Sequence, residues 1–316
     1  MDDGRGAGKP SGMVRIHLAV LLFGLAGVLG KLSGLPAPLI VLARVALAGP
    51  ALLLWLRWRG PPARVRVPPR HRAIFAAQGV VLAVHWTAFF QSINLSSVAI
   101  GLLSFSSFPL FTAALEPLLT RRRPSRAQLL AALLVGVGVY LLVPRFSWSS
   151  RDAQGVAWGL LAGFTFALLS VVNRWLGATY PSVLISAWQD LTAAVVLLPA
   201  LLFLHPTRPF TVRELVILLV LGLACTAAAH TLFIAGMRTV SAQLASLIAA
   251  LEPVWGILFA LALLREVPTA RTLAGGALIL GAVLGAAALA RRAPSVAVVQ
   301  GCPTPQPPEG ASRTAE

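Results

Sequence analysis

The chain has 316 residues, of which 57% are hydrophobic and only 11% are charged. Soluble domains carry about 25% charged residues, so this composition excludes an ordinary soluble protein and indicates a membrane protein with several spans. The net charge of +16 does not indicate nucleic-acid binding, because the basic residues lie between apolar runs and not on a face shared with aromatic residues. With only two cysteines, one of them in the tail, no disulfide framework is expected.

Ten apolar runs follow one another along the chain, each close to the roughly 20 residues that a membrane span requires. The predicted helices, numbered 1 to 10, cover approximately residues 14–32, 37–56, 74–95, 98–119, 128–143, 155–176, 182–204, 214–236, 241–264 and 269–290. Basic segments that contain proline separate several of them, because proline ends a helix. The sequence therefore predicts an all-α polytopic membrane protein with ten transmembrane helices.

The polar ends and the chain centre divide the sequence into five segments. Both tails, at residues 1–12 and 293–316, contain too few apolar residues to fold and are expected to be disordered. Two five-helix repeats are predicted at residues 13–144 and 155–292, joined by a connecting loop at residues 145–154. Eighteen basic residues fall on the side of the predicted termini and seven on the other side. The positive-inside rule thus predicts that both termini are cytoplasmic.

An offset of about 144 residues superposes the two halves. It aligns, in order, Pro109 with Pro253, Pro124 with Pro268, His85 with His230, and Lys31 with Arg174. Because each half has five spans, an odd number, the second half must be inverted relative to the first. Inverted repeats are typical of secondary transporters, whose substrate site lies between the repeats near the bilayer midplane.

These features resemble the EamA-type repeat of the drug/metabolite transporter superfamily. The resemblance rests on the two proline-centred helices and on a hinge and glycine run formed by Arg265, Glu266, Val267, Pro268, Gly275, Gly276 and Gly281. It implies ten helices, cytoplasmic termini and a central cavity lined mainly by helices 1, 3, 4, 6, 8 and 9. It also implies export of amino acids or other small metabolites. One position departs from a symmetric pattern, since the hinge acid Glu266 aligns with Arg122.

Ionisable residues within spans are costly in the membrane and are therefore functional candidates. Glu252 lies about twelve residues into predicted helix 9, at the depth of the midplane. It is a candidate proton carrier or counter-charge for a cationic solute. The alternative is a neutral carboxyl group bonded to carbonyls that Pro253 frees. Arg44 and Asp190 lie in the second span of each repeat, where they either form a structural ion pair or each face water.

The aromatic and hydroxyl candidates lie on predicted helices 3, 4, 8 and 9. His85 and His230 are related by the repeat and are expected to line one cavity, with Trp86 and Trp255 as stacking walls. The alternative is that each histidine is a hydrogen-bonded packing residue. Ser107 is expected to line the cavity as well. No cluster of histidine and cysteine indicates a metal site.

The sequence thus predicts a secondary active transporter in the inner membrane that exports a small organic metabolite, amino acid-like, cationic or aromatic. Proton coupling and a homodimer stay open, and no cofactor is expected. The alternatives are an importer or facilitator of the same fold and a non-transporting scaffold. An intramembrane enzyme is not expected, because the chain has no GxSxG or HExxH motif. A nucleotide-driven pump would need a GxxxxGK[ST] loop, which is also missing from the sequence.

Overall fold

The fold was described from a computed structural model. The structure describes residues 8–58, 67–120, 126–142, 147, 149–204, 209–240, 245 and 248–292. Within these residues every regular element is a helix. The helices are α1 (Gly8–Ser33), α2 (Ala37–Trp58), α3 (Pro69–Leu95), α4 (Val98–Phe105), α5 (Phe108–Thr120), α6 (Arg126–Leu142), α7 (Arg151–Gly177), α8 (Ser182–Leu197), α9 (Ala200–Phe203), α10 (Val212–Gly222), α11 (Ala229–Gly236), α12 (Glu252–Leu263) and α13 (Ala270–Arg292).

Six stretches of helix are long and apolar enough to cross a membrane. They cover Gly12–Ser33, Ala37–Trp58, Pro69–Leu95, Arg151–Gly177, Ser182–Phe203 and Val212–Gly236. Four shorter apolar helices accompany them, at Val98–Thr112, Leu130–Leu142, Glu252–Leu263 and Ala270–Gly285. The all-helical prediction is confirmed for the described residues. Helix α1 begins at Gly8, earlier than predicted, whereas residues 1–7 and 293–316 lie outside the described part of the chain.

Two predicted spans are discontinuous, and the same proline positions explain both breaks. The helix that starts at Val98 ends at Phe105, and α5 then restarts at Phe108 with Pro109 in its first turn. Likewise α12 starts at Glu252 with Pro253 in its first turn. Proline has no N–H to donate to the preceding turn, so it is favoured in the first turn of a helix, where no such bond is needed. The repeat-related prolines therefore each begin a half-helix.

Predicted helix 8 contains a third irregularity. Between α10 and α11 the backbone forms one π-helical turn at Leu223–Ala228. Such turns insert one extra residue into an α-helix and frequently lie at functional sites. The turn shifts the register of the residues that follow it.

Packing between the halves obeys the symmetry of the repeat. Helix α2 packs on α8 and α6 packs on α13, each pair joining corresponding spans of the two halves. Helix α1 packs on α11 and α12, and the corresponding helix α7 packs on α3 and α5. Exchanging the halves converts one set of contacts into the other. The two-repeat topology is thus visible in the packing as well as in the sequence.

Glycines allow the closest helix contacts. A Cβ atom added to Gly138 on α6 would lie 2.9 Å from the carbonyl oxygen of Gly275 on α13, and one on Gly275 would lie 2.8 Å from the carbonyl oxygen of Gly138. On the other side, a Cβ atom on Gly24 of α1 would lie 2.9 Å from the backbone nitrogen of Gly256 on α12. Small residues at helix crossings are the usual means of close packing in membranes. Gly138 and Gly275 thus lie where α6 and α13 approach each other closely, whereas Gly281 has open space around it.

Candidate functional site

Arg44 occupies the centre of the bundle with an exposed fraction of only 1%. Its Nε donates to the hydroxyl of Thr226 at 2.6 Å, and its Nη2 donates to the carbonyl oxygen of Cys225 at 3.0 Å. Both partners belong to the π-helical turn of predicted helix 8. Hydrogen bonds from an ionised donor are roughly twice as strong as neutral ones. The guanidinium group is therefore held in one orientation between α2 and this turn.

The π-helical turn supplies the acceptors that Arg44 needs. The Thr226 hydroxyl donates to the carbonyl oxygen of Leu221 at 2.6 Å, five residues earlier, and is thereby free to accept from Arg44. Thr226 is fully buried. Since a regular α-helix uses its carbonyl oxygens within the helix, the irregular turn explains how a backbone oxygen is available to a side chain from another helix.

Trp86 provides the apolar face of the site. The Arg44 guanidinium carbon lies 4.0 Å from the centroid of the Trp86 ring and 5.2 Å from that of Phe90. The His230 ring meets the same indole edge-on, with centroids 5.5 Å apart. A desolvated cation over a tryptophan face is stabilised by about 2 kcal/mol. The Trp86 ring therefore contacts both the guanidinium group of Arg44 and the ring of His230.

The two histidines differ in their hydrogen bonding. His85 Nδ1 lies 2.9 Å from the carbonyl oxygen of Ala162. Because a carbonyl oxygen only accepts, Nδ1 carries a hydrogen, and Nε2 is left for another partner. His230 Nδ1 is buried and has no hydrogen-bond partner among the described residues. A buried polar atom without a partner is unfavourable, so His230 Nδ1 is a destabilising group in this arrangement.

Glu252 completes a small cavity with Arg44, Trp86 and His85. Its side chain is 3% exposed, and it is the first residue of α12. The cavity has a volume of about 30 Å³ and is lined by Phe23, Ala26, Arg44, His85, Trp86, Phe89, Phe105, Phe166 and Glu252. A carboxylate is favoured at a helix N-terminus by the helix dipole. The cavity therefore has a guanidinium group, from Arg44, and a carboxyl group, from Glu252, set in an aromatic wall.

The central cavity is small. Sites for small organic ligands measure about 300 to 1,000 Å³. At about 30 Å³ the central cavity holds roughly one water molecule. It is thus too small to hold an organic solute in this structure.

Asp190 does not bind Arg44 directly in this form. It is fully buried on α8, and neither carboxylate oxygen has a hydrogen-bond partner among the described residues. The guanidinium group donates instead to Thr226 and to the Cys225 carbonyl. Arg44 and Asp190 therefore do not form a hydrogen-bonded pair.

Three residues predicted to line the cavity do not border it: Ser107, Trp255 and His230, whose ring contacts Trp86 instead. Ser107, at the break between α4 and α5, donates to the carbonyl oxygen of Ser104 at 2.8 Å and packs near Gly163. Trp255 follows the cavity acid by three residues and is 36% exposed on the outside of α12. Neither residue borders the cavity of about 30 Å³.

Sequence reasoning missed several contributors to the site. Thr226 and the Cys225 carbonyl were not candidates, because a threonine in an apolar span gives no signal of a π-helical turn. Phe105 and Phe166, whose rings lie 5.3 Å apart, were not distinguished from other core phenylalanines. Helix α2 also contributes a lining residue, Arg44, although the resemblance assigned the cavity mainly to other helices.

Comparison with known proteins places the chain in a family. Residues 10–143 and residues 153–288 each match the EamA-like transporter family. The chain belongs to the EamA-like transporter family. The double match agrees with the two halves seen in the packing, so this is a multi-pass membrane transporter of that family.

Relatives of this EamA-like transporter carry transporter names. The uncharacterized transporter YwfM of Bacillus subtilis is 28% identical over 214 residues, which are 67% of this chain and 72% of YwfM. The pseudopaline exporter CntI of Pseudomonas aeruginosa is 29% identical over 283 residues, 87% of this chain and 95% of CntI. A solved crystal structure of a protein without a stated function, 21% identical, superposes with a TM-score of 0.68 over 90% of this chain and 99% of its own. That likeness shows the shared fold.

Proposed function

We propose that this chain is a secondary active transporter that exports a small organic metabolite across the inner membrane by alternating access. The proposal includes ten membrane crossings and cytoplasmic termini. The observation that carries it is the cavity between the two halves, where Arg44 and Glu252 place a guanidinium group and a carboxyl group beside Trp86. Charged groups buried inside a membrane bundle are costly and mark solute or ion pathways.

The lining suggests the chemistry of the solute. The planar guanidinium of Arg44 suits a carboxylate, and Glu252 suits an ammonium group. The aromatic residues, chiefly Trp86, suit an apolar or aromatic portion and also a cation. An amino acid-like solute with both charges satisfies all three features, while a purely cationic or aromatic solute satisfies fewer of them.

Alternating access follows from the volume and from the broken helices. The cavity of about 30 Å³ must enlarge roughly tenfold to reach the size of a small-ligand site. The half-helices that begin at Phe108 and Glu252 provide the discontinuities at which such a movement can take place. Broken helices of this kind form the binding sites of many secondary transporters.

Sidedness and direction have separate support. The excess of basic residues in the loops on the side of the termini favours a cytoplasmic location for both ends. The name of the relative CntI, a pseudopaline exporter, favours export. An importer or facilitator of the same fold is the second candidate, and a non-transporting scaffold is a weaker one.

The decisive test is solute flux in proteoliposomes that contain the purified protein and no nucleotide. Amino acids, polyamines and aromatic cations are supplied on one side, with an inside dye reporting pH. Arg44→Ala and Glu252→Gln are expected to lower flux at least tenfold, whereas Trp58→Ala, at a position 76% exposed, is expected to leave it unchanged. If no solute moves with the wild-type protein in either orientation, the transport proposal is wrong.

Proton coupling is tested in the same vesicles. Coupled export changes the pH of the lumen only when solute is present, and Glu252→Gln, which cannot exchange a proton, should abolish this change. Flux that persists without any pH change, in the wild type and in Glu252→Gln, supports the facilitator. The pH signal of the dye thus distinguishes a proton-coupled exporter from a facilitator.

A further inference from the structure

A polar cluster far along the bundle from Trp86 joins helices of both halves. The ammonium group of Lys31, at the end of α1, lies 2.6 Å from Glu266 Oε1, in the hinge between α12 and α13. Lys31 also donates to the carbonyl oxygen of Ser96 at 3.0 Å. The other carboxylate oxygen of Glu266 accepts from the backbone nitrogen of Val98 at 3.0 Å. Three separate chain segments therefore meet on one ion pair.

Glu266 also caps a helix. Val98 is the first residue of α4, and helix N-termini leave backbone N–H groups without partners inside the helix. The Ser97 side chain accepts from the nitrogen of Ile100, and Glu266 accepts from that of Val98. A carboxylate at this end is also favoured by the helix dipole. Helix α4 therefore depends on a residue from the other half of the protein for part of its cap.

Helix α4 connects this cluster with the central cavity. It has only eight residues and ends at Phe105, which lines the cavity, immediately before the break at Ser106 and Ser107. A separate cavity of about 280 Å³ borders Glu266 and the hinge residues Val267 and Pro268. The hinge thus has open space beside it. A movement of the hinge would release one end of α4 while the other end contacts the site of the solute.

The charge distribution and the repeat together indicate the side of the membrane on which this ion pair lies. The charge distribution assigns Lys31 and Glu266 to the side of the membrane opposite the termini. The corresponding residues of the other half are Arg174 and Arg122, which are both basic, so the same ion pair cannot form at the cytoplasmic end. Arg122 lies outside the described residues, and its correspondence with Glu266 comes from the repeat in the sequence. The ionic contact therefore closes one side only.

We propose that Lys31 and Glu266 form an extracytoplasmic gate, closed in this structure, that must open each time solute is released. This inference rests on the proposed transport function and names the contact that controls its outer exit. The pair is partly exposed, with exposed side-chain fractions of 24% and 26%. Partly exposed ion pairs are weak, which suits a contact that breaks and reforms in every cycle.

The first experiment measures opening without transport. Ala99→Cys, at a position 5% exposed beside the cavity of about 280 Å³, in a background with Cys225→Ala and Cys302→Ala, is labelled from outside intact cells with a membrane-impermeant maleimide. Adding Glu266→Gln weakens both the ion pair and the cap, so labelling should become faster, on the order of 5-fold. Asp152→Asn, a change at another carboxylate beside the cavity of about 280 Å³, is the control and should leave the rate unchanged. Equal rates with Glu266→Gln and with the parent overturn the gate.

The second experiment tests whether the contact must open. Lys31→Cys and Glu266→Cys are combined in the same background and joined by a short bifunctional methanethiosulfonate reagent. Transport in proteoliposomes should stop and should return when a reductant cleaves the link, while each single cysteine variant treated in the same way keeps transporting. Full transport by the linked protein overturns the proposal. If the wild type moves no solute, the transport function fails instead, and the labelling experiment still decides whether the contact opens.

Discussion

Thr226→Val removes the hydroxyl that orients the buried arginine and changes the shape of the side chain very little. Thr226 accepts from Arg44 Nε at 2.6 Å and donates to the carbonyl oxygen of Leu221 at 2.6 Å. A hydrogen bond to a charged group contributes about 1.5 to 3 kcal/mol, and a neutral one about 0.5 to 1.5 kcal/mol. The Arg44 guanidinium group recovers a small part of this loss by donating to other acceptors. We therefore expect the free energy of unfolding to fall by about 2 to 4 kcal/mol.

The same helix offers a matched control. The Thr231 hydroxyl is buried and has no partner among the described residues. Replacing an unsatisfied hydroxyl by a methyl group removes a desolvation cost, so Thr231→Val should be neutral or stabilising. Both variants are compared by thermal and denaturant unfolding of the purified protein in one detergent. Transport by Thr226→Val should show a raised KM, because Arg44 is no longer held toward the cavity.

The outcome that refutes this reasoning is specific. If Thr226→Val unfolds within about 0.5 kcal/mol of the wild type, the range of ordinary surface substitutions, the Arg44–Thr226 bond contributes nothing measurable. If both variants are equally destabilised, the loss comes from the threonine hydroxyls in general and not from the contact with Arg44. Either result removes the π-helical turn from the account of how the site is built.

The remaining predictions use the packing and the cavity. Gly275→Ala should clearly lower the unfolding midpoint, because the added Cβ atom would lie 2.8 Å from a carbonyl oxygen of α6. Gly281 has open space around it, so Gly281→Ala should leave the midpoint unchanged or raise it slightly. Cys225→Ala should retain flux, because Arg44 bonds the backbone oxygen of Cys225 and not its thiol; a loss of flux with unchanged stability would give the thiol a role. Trp86→Ala should abolish saturable solute binding in a thermal-shift titration, while Trp255→Ala should retain it; the opposite pattern would place the solute on the other side of α12.

The fold was predictable to a large extent, and the reason is that its signals are linear along the chain. Apolar length identified the membrane class and most of the helices. The equivalence of Pro109 and Pro253 was confirmed, because each of them lies at the start of a half-helix. The sequence predicted continuous spans at these positions and did not show the breaks. Proline excludes a regular helix in front of it, but only the packing determines whether the chain bends or breaks there.

The site was predictable as a set of residue types but not as a set of partners. Glu252, Arg44, His85 and Trp86 do border one cavity. Asp190, expected to be a pair partner or to face water, has no hydrogen-bond partner among the described residues. The hinge acid that matched a basic residue in the other repeat, Glu266, bonds Lys31 and caps α4 instead. These partners lie on other helices, at sequence separations that no local pattern covers.

The sequence by itself determined that this is a helical membrane protein built from two related halves, because span length and the repeat are properties of residue order. The tertiary structure alone decided which way each side chain points. In a soluble helix an apolar stripe marks the buried face, but a membrane helix is apolar toward lipid and toward protein alike. Rotation about the helix axis is then not encoded in the apolar pattern, which is why Trp86 faces the cavity, Trp255 lies on the outside, and Arg44 binds a π-helical turn that only packing reveals.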